Sequence, residues 1–151
     1  MDNPKAKLRR TRKYGWAVFA QAPIKKGEVV ATFDGKFYDD DFDEWNDDLL
    51  NHTIQCGPAL WRDSKGFARY LNHSCDPNCG IKKKYKVVAM RDIAKGEEIT
   101  WDYEMTEKST WWLMKCKCGS PLCRKRIGNY KNMPRKIRAK YKGFISEWLT
   151  G

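Results

Sequence analysis

Three cysteines fall within eight residues, in the run Cys116-Lys-Cys-Gly-Ser-Pro-Leu-Cys123. A tetrahedral structural zinc takes four ligands, each thiolate at ~2.3 Å, so this cluster cannot close a metal shell alone. The missing donor has to come from far upstream, and the candidates are Cys56, His73, Cys75 and Cys79. Any fold that satisfies the cluster must therefore return the C-terminal third of the chain onto its middle. Disulfides and unligated thiols are the competing states of these six cysteines. The opening segment, Met-Asp-Asn-Pro-Lys-Ala-Lys-Leu-Arg-Arg, has no apolar stretch of the kind a secretory signal needs. No run approaches the ~18 apolar residues of a membrane span. The chain therefore reads as soluble and intracellular, where clustered thiols are metal ligands more often than disulfides.

The remaining segments read as a mostly β domain. At 151 residues one domain is expected, and 41% hydrophobic residues with seven Trp, seven Tyr and six Phe exclude a disordered tail. Short β-branched and aromatic runs predict strands at 14–20, 29–33, 85–90 and 99–103. Asn72 to Gly80 carries too much Asn, Asp, Pro and Gly for regular structure. Asp43 to Leu50 reads as a short helix or an acidic loop. From Lys136 to Leu149, Ile137, Tyr141, Phe144, Ile145, Trp148 and Leu149 recur near helical spacing, which predicts one amphipathic C-terminal helix. The pattern Ile-x-Lys-Gly-Glu occurs twice, from Ile24 and from Ile93, each time after a predicted strand. It is either a repeated structural unit or a common turn used twice.

Charge is unevenly placed. The net charge is +11, yet residues 39–48 hold seven acids and no base. Six bases lie between Lys5 and Lys13, and nine between Arg124 and Lys142. The acidic run suits a basic peptide or is a solvated face, and the basic remainder suits nucleic acid or an acidic partner.

The segment Arg69-Tyr-Leu-Asn72-His73-Ser-Cys75-Asp-Pro-Asn78-Cys resembles the Arg-Phe-Ile-Asn-His-Ser-Cys-x-Pro-Asn motif of SET-domain protein lysine methyltransferases. Gly96-Glu-Glu-Ile-Thr-Trp101-Asp-Tyr103 resembles that family's Gly-Glu-Glu-Leu-Thr-x-Asp-Tyr motif. Residues 116–123 resemble its post-SET zinc knot, and Tyr14-Gly-Trp-Ala-Val18 its opening Gly-Trp-Gly-Val. The motifs occur in the family's order and together cover roughly residues 8–130.

The resemblance implies a β-clip SET fold: small sheets around a knot-like core, a C-terminal zinc knot and a short helix. It divides the chain into a SET domain at 8–106, a post-SET zinc motif at 112–128 and a basic helical extension at 129–151. It implies a structural zinc on Cys75, Cys116, Cys118 and Cys123, and S-adenosylmethionine as methyl donor. Gly15, Trp16, Ala17, His52, Arg69, Tyr70, Asn72, His73, Tyr103 and Lys117 are the expected cofactor contacts, and Tyr103 is the expected catalytic hydroxyl. The implied reaction is N-methylation of a lysine side chain on a histone or other basic protein, in cytoplasm or nucleus or by a secreted effector. Nucleic-acid or nucleosome contact is a further expected partnership.

Two positions depart from the pattern. Ala17 replaces a glycine, and Phe33 stands where many members carry an active-site Tyr. They support a rival expectation, a catalytically weak SET fold that binds chromatin or nucleic acid. Trp101, at the position that tunes how many methyls fit, points to di- or trimethylation.

Overall fold

The computed structural model describes residues 2–13 and 15–150. Tyr14, which opens a segment read above as a strand, lies outside them, as do Met1 and Gly151. In chain order the strands are β1 (Ala6–Thr11), β2 (Gly15–Ala20), β3 (Val29–Thr32), β4 (Phe37–Asp39), β5 (Ile54–Gly57), β6 (Leu60–Arg62), β7 (Asn72–His73), β8 (Cys79–Lys82), β9 (Lys86–Ala89), β10 (Thr100–Trp101), β11 (Met114–Lys115) and β12 (Arg126–Ile127). The α-helices are α1 (Asp47–His52), α2 (Arg135–Lys140) and α3 (Glu147–Thr150). The strands form small sheets in the orders β1-β2, β3-β9-β8, β4-β6-β5, β7-β10 and β11-β12. This is the small-sheet, mostly β fold expected.

The repeated Ile-x-Lys-Gly-Glu pattern is a structural unit that pairs with its own copy. Ile24 N–H donates to Ile93 O at 2.9 Å, and Ile93 N–H to Ile24 O at 2.7 Å. Gly27 N–H reaches Ala89 O and Gly96 N–H reaches Ala20 O, both at 2.8 Å. Each exchange is the mirror of the other, so the two turns are related by a local twofold. Both glycines need it: their φ angles are +91° and +92°, where an L side chain is strained.

The basic N-terminal run is part of the sheet. Expected only as a charged end, it forms β1, paired with β2 from Ala6↔Ala20 to Thr11↔Gly15. Ala6 is buried while Lys7, Arg9 and Arg10 point outward. Arg9 lies over the Phe19 ring at 4.5 Å, so the bases cover apolar surface and do not oppose a strand. The acidic run resolves into both of its expected forms. Residues 40–46 are irregular, and Asn46 caps α1 by accepting from Leu49 N–H at 2.9 Å, with Asp47 and Asp48 in the first turn. The strand expected at 99–103 is shorter. It ends at Trp101, and Asp102 caps a 3-10 turn over Tyr103–Met105 by accepting from Glu104 N–H at 3.0 Å.

The single C-terminal helix is a correction. Two short helices replace it, broken at Gly143, whose φ is +87°. The backbone between them makes tertiary bonds: Ile81 N–H donates to Phe144 O at 2.8 Å, and Ser146 N–H to Met105 O at 2.9 Å. A Cβ on Gly80 would sit 2.5 Å from Phe144 Cβ, so glycine at 80 permits this close approach. Tyr141 and Met133 join the main core with Val18, Phe33, Ile81 and Ile99. The extension is therefore an integral layer, and its bases Arg135, Lys136 and Lys140 face outward.

Candidate active site

Strand pairing brings three distant segments together. β2 runs beside residues 97–99, with Ala20 N–H donating to Glu97 O at 2.9 Å and Ile99 N–H to Val18 O at 2.8 Å. That segment continues into β10, which pairs in parallel with β7 in the register Thr100↔Asn72 and Trp101↔His73. Trp16, Asn72-His73 and Trp101–Tyr103 thus become neighbours.

Tyr103 lines two hollows. One is a cavity of about 30 Å³ whose walls include Phe33, Ile54, Gln55, Trp101 and Glu107. The other is a groove of about 210 Å³ lined by Asn72, His73, Met114, Lys117 and Cys118. The Tyr103 ring packs 4.9 Å from Trp101 and 5.3 Å from His73. Its hydroxyl donates to Leu71 O at 2.6 Å. Burial, reinforced by the charge of Glu98, pushes the phenol well above its usual range, so it stays neutral.

Asn72 Nδ2 donates to Trp16 O at 3.2 Å and to Glu98 Oε2 at 3.1 Å. Both amide hydrogens are thereby used, which leaves its Oδ1 as the acceptor of a side chain that lines the groove. The Trp16 ring, 6.2 Å from Tyr70, extends this wall, and His52 stacks 5.7 Å from Tyr70 on its other side. Arg69 is fixed by Asp48 at 2.7 Å and Asp63 at 3.0 Å.

The cysteines close as one cluster. The Sγ atoms of Cys75, Cys116, Cys118 and Cys123 all lie within 4.8 Å of one another. Cys75 and Cys116 are 3.8 Å apart, the edge of a tetrahedron with arms of ~2.3 Å. This donor set fits zinc. Burial pushes the Cys75 and Cys116 thiols up, so holding both as thiolates calls for a bound cation. Cys79 is buried in the main core, and Cys56 packs under β6 with its Sγ 3.6 Å from Leu60 O. His73 sits next to the cluster. Tyr103 N–H donates to its Nδ1 at 3.0 Å, which puts the proton on Nε2, 3.3 Å from Cys75 Sγ. Burial lowers its pKa to about 4, so the ring is neutral. Its side chain links the cluster to Tyr103, which leaves only backbone for a cofactor.

Of the expected cofactor contacts, Asn72, His73, Tyr103 and Lys117 line the groove. His52 and Arg69 line the smaller cavity instead. Trp16 and Tyr70 join this wall through their rings. Gly15 opens β2 at φ +79°, and Ala17 is fully buried; neither is among the residues lining these two hollows. Sequence reasoning missed Arg124. Its N–H donates to Cys75 Sγ at 3.3 Å, and its guanidinium binds Asp102 at 2.9 Å and Glu104 at 2.8 Å. The available signal was a base directly after the last cysteine. Glu107 and Trp112 were missed too, because no motif covers 104–115.

A groove and a small enclosed cavity thus meet at one tyrosine beside a cluster of four cysteines, within a fold of small sheets. The SET domain family model matches residues 15–104, and the chain belongs to that family. The human histone-lysine N-methyltransferase described as H3 lysine-36 specific is 30% identical over 165 residues, covering 93% of this chain and 6% of that protein. Arabidopsis thaliana histone-lysine N-methyltransferase ASHR3 is 31% identical over 147 residues, covering 86% of this chain and 29% of that protein. The chain spans from 2% to 40% of the length of such relatives. KRYPTONITE, solved in complex with mCHG DNA and SAH, superposes with a TM-score of 0.65 at 26% identity over 80% of this chain and 28% of that one. A KRYPTONITE complex that also holds an H3(1-15) peptide superposes with a TM-score of 0.64 at 24% identity, over 81% and 29%.

Proposed function

We propose that this chain is an S-adenosylmethionine-dependent protein-lysine N-methyltransferase acting on a lysine in a basic, histone-like segment. The observation that carries this reading is Tyr103, shared by a groove lined by Asn72, Met114 and Lys117 and by a small cavity in which aromatic walls alternate with polar groups. The groove suits the cofactor, whose sulfonium supplies the methyl group. Asn72 Oδ1 is the acceptor this reading assigns to the cofactor's ammonium, with Lys117 a further wall of the same groove. The cavity suits the lysine. Phe33 and Trp101, with ring centroids 6.2 Å apart, exclude water and disfavour the ammonium form, which must lose a proton before it attacks. Tyr103 orients the resulting amine. Neither Phe33 nor Trp101 offers a hydroxyl to hold a water, which favours di- or trimethylation. Cys75, Cys116, Cys118 and Cys123 hold a structural zinc in this reading, with residues 8–106 as the SET unit, 112–128 as the post-SET unit and 129–151 as its basic extension.

The relatives' names support a histone substrate and a place at chromatin, and the outward bases of the C-terminal layer suit non-specific contact with DNA. Among the described residues no helix is long and apolar enough to cross a membrane. Radiolabelled methyl transfer to a panel of histone peptides, with product mass spectrometry, tests the reading. Incorporation on a lysine is expected, and no incorporation on any peptide or whole histone overturns it.

In this reading the acidic run receives the peptide. Asp40 lines an outer groove of about 420 Å³ with Trp61, Lys108, Trp111 and Trp148. Gln55 lines both this groove and the smaller cavity, so the two adjoin. Exchanging Asp39, Asp40, Asp41 and Asp43 for Asn is expected to raise the KM for a basic peptide about tenfold at low salt. That corresponds to ~0.3 kcal/mol from each exposed charge. Turnover at saturation should hardly move. A KM unchanged across salt concentrations would show that the run is a solvated face.

A further inference from the structure

Three buried polar atoms around the smaller cavity have no hydrogen-bond partner: His52 Nδ1, Trp101 Nε1 and Glu107 Oε2. Buried polar groups are nearly always satisfied, so three orphans at one cavity mark the place of a missing polar guest. The cavity is about 30 Å³, room for about two water-sized groups. Two of the three orphans are acceptors and define the guest, since the Arg69 guanidinium that also lines the cavity is already held by Asp48 and Asp63. Glu107 is a carboxylate. His52 Nε2 faces Asp48 at 3.9 Å, which favours the proton on Nε2 and leaves a lone pair on Nδ1. Two acceptors in a small aromatic enclosure suit an alkylammonium head.

We propose that Glu107 is the acceptor in the substrate channel that binds the target lysine's ammonium group and takes its proton. The inference rests on the methyltransferase reading and adds a residue to it. In the step proposed, one ammonium proton passes to the Glu107 carboxylate, which becomes a carboxylic acid, and the lysine is left as a neutral amine. The amine lone pair forms the new N–C bond while the S–C bond of the donor breaks and its electron pair stays on sulfur. The product is a methylated ammonium, and Glu107 later returns its proton to water. Burial raises the Glu107 carboxyl to about 7, outweighing the opposing pull of Ser109 and Trp61. A carboxyl poised there exchanges a proton readily near neutrality. Glu107 also supplies the polar contact that Phe33, lacking a hydroxyl, cannot make.

Two measurements on the full chain test this with Glu107→Gln. The first is binding, without cofactor, of a histone-tail peptide carrying either the target lysine or norleucine at that position. Wild type is expected to prefer lysine several-fold, and Glu107→Gln to lose or reverse that preference. An equal preference in both proteins overturns the proposal. The second is turnover, expected to fall ~30-fold. That is less than an obligatory general base supplies, because burial beside Phe33, Trp101 and the Arg69 cation already lowers the lysine pKa. Turnover within twofold of wild type overturns the proposal. The melting temperature separates a structural role. Gln keeps the shape and the hydrogen-bonded oxygen and removes a buried charge, so it should leave the melting temperature unchanged or raised, whereas a clear drop with the peptide preference retained means Glu107 only supports the fold. If wild type methylates no peptide, the methyltransferase reading fails; the lysine-against-norleucine comparison still decides whether Glu107 binds ammonium.

Discussion

Replacing Tyr103 with Phe is expected to lower methyl transfer by at least about two orders of magnitude while leaving the fold and cofactor affinity nearly intact. The ring carries the packing: it sits against Trp101, His73 and Trp112 with centroids 4.9, 5.3 and 6.3 Å away. Phe keeps those contacts. The hydroxyl makes one bond, to Leu71 O, whose loss costs ~1 kcal/mol of stability. In the transition state the same hydroxyl orients the amine where the cavity and groove meet. Deleting one preorganised hydrogen bond of that kind typically costs ~2.7–4 kcal/mol of activation energy. The measurement is single-turnover methyl transfer beside a cofactor titration. Wild-type turnover in the variant would move the chemistry to another residue.

The site was readable in part because its motifs carry backbone constraints as well as side chains. Thr100-Trp101 falls within the strand expected at 99–103, but Asn72-His73 is a two-residue strand in a segment read as irregular, and the parallel pairing of the two assembles the centre. What the sequence hid lies between motifs. Glu107 and Trp112 occupy an irregular stretch where no spacing rule applies, and their importance comes from what they line. Arg124 looked like one more base in a basic run. Only its burial beside Asp102 and Glu104 distinguishes it. The C-terminal segment misled for a physical reason: Ile137, Tyr141 and Ile145 do reach the main core, as helical spacing suggests. The backbone around Gly143, however, gains more from bonding to Ile81 and Met105 than from continuing a helix. β1 was missed because a strand that projects its charges to solvent has the composition of a charged tail.

Stripping the metal from the cysteine cluster is expected to cost more than the post-SET turn, because two connections run from it into the centre. Arg124 is held to the cluster by its N–H on Cys75 Sγ, and its guanidinium serves Asp102 and Glu104, whose side chains are no more than 1% exposed. His73 joins Cys75 Sγ to the backbone of Tyr103. Without a metal, four thiols gathered within 4.8 Å lose what holds them as thiolates. Once residues 112–128 swing free, Arg124 leaves two buried carboxylates unpaired. Breaking a buried pair from one side costs ~3–5 kcal/mol. At this chain length that corresponds to a fall of ~6–20 °C in Tm. Lys117 departs with the same segment, so the groove loses a wall and cofactor affinity should drop together with Tm. Elemental analysis should find one zinc per chain before chelation, and Cys75→Ser should reproduce the chelated state. Cys79→Ser should leave zinc content unchanged, because Cys79 lies in the main core away from the cluster. Hydrogen exchange should place the new opening at 112–128 and around Asp102. A metal-free protein with unchanged Tm and cofactor affinity would mean that the cluster is a local clasp, and that Arg124 holds Asp102 and Glu104 without it.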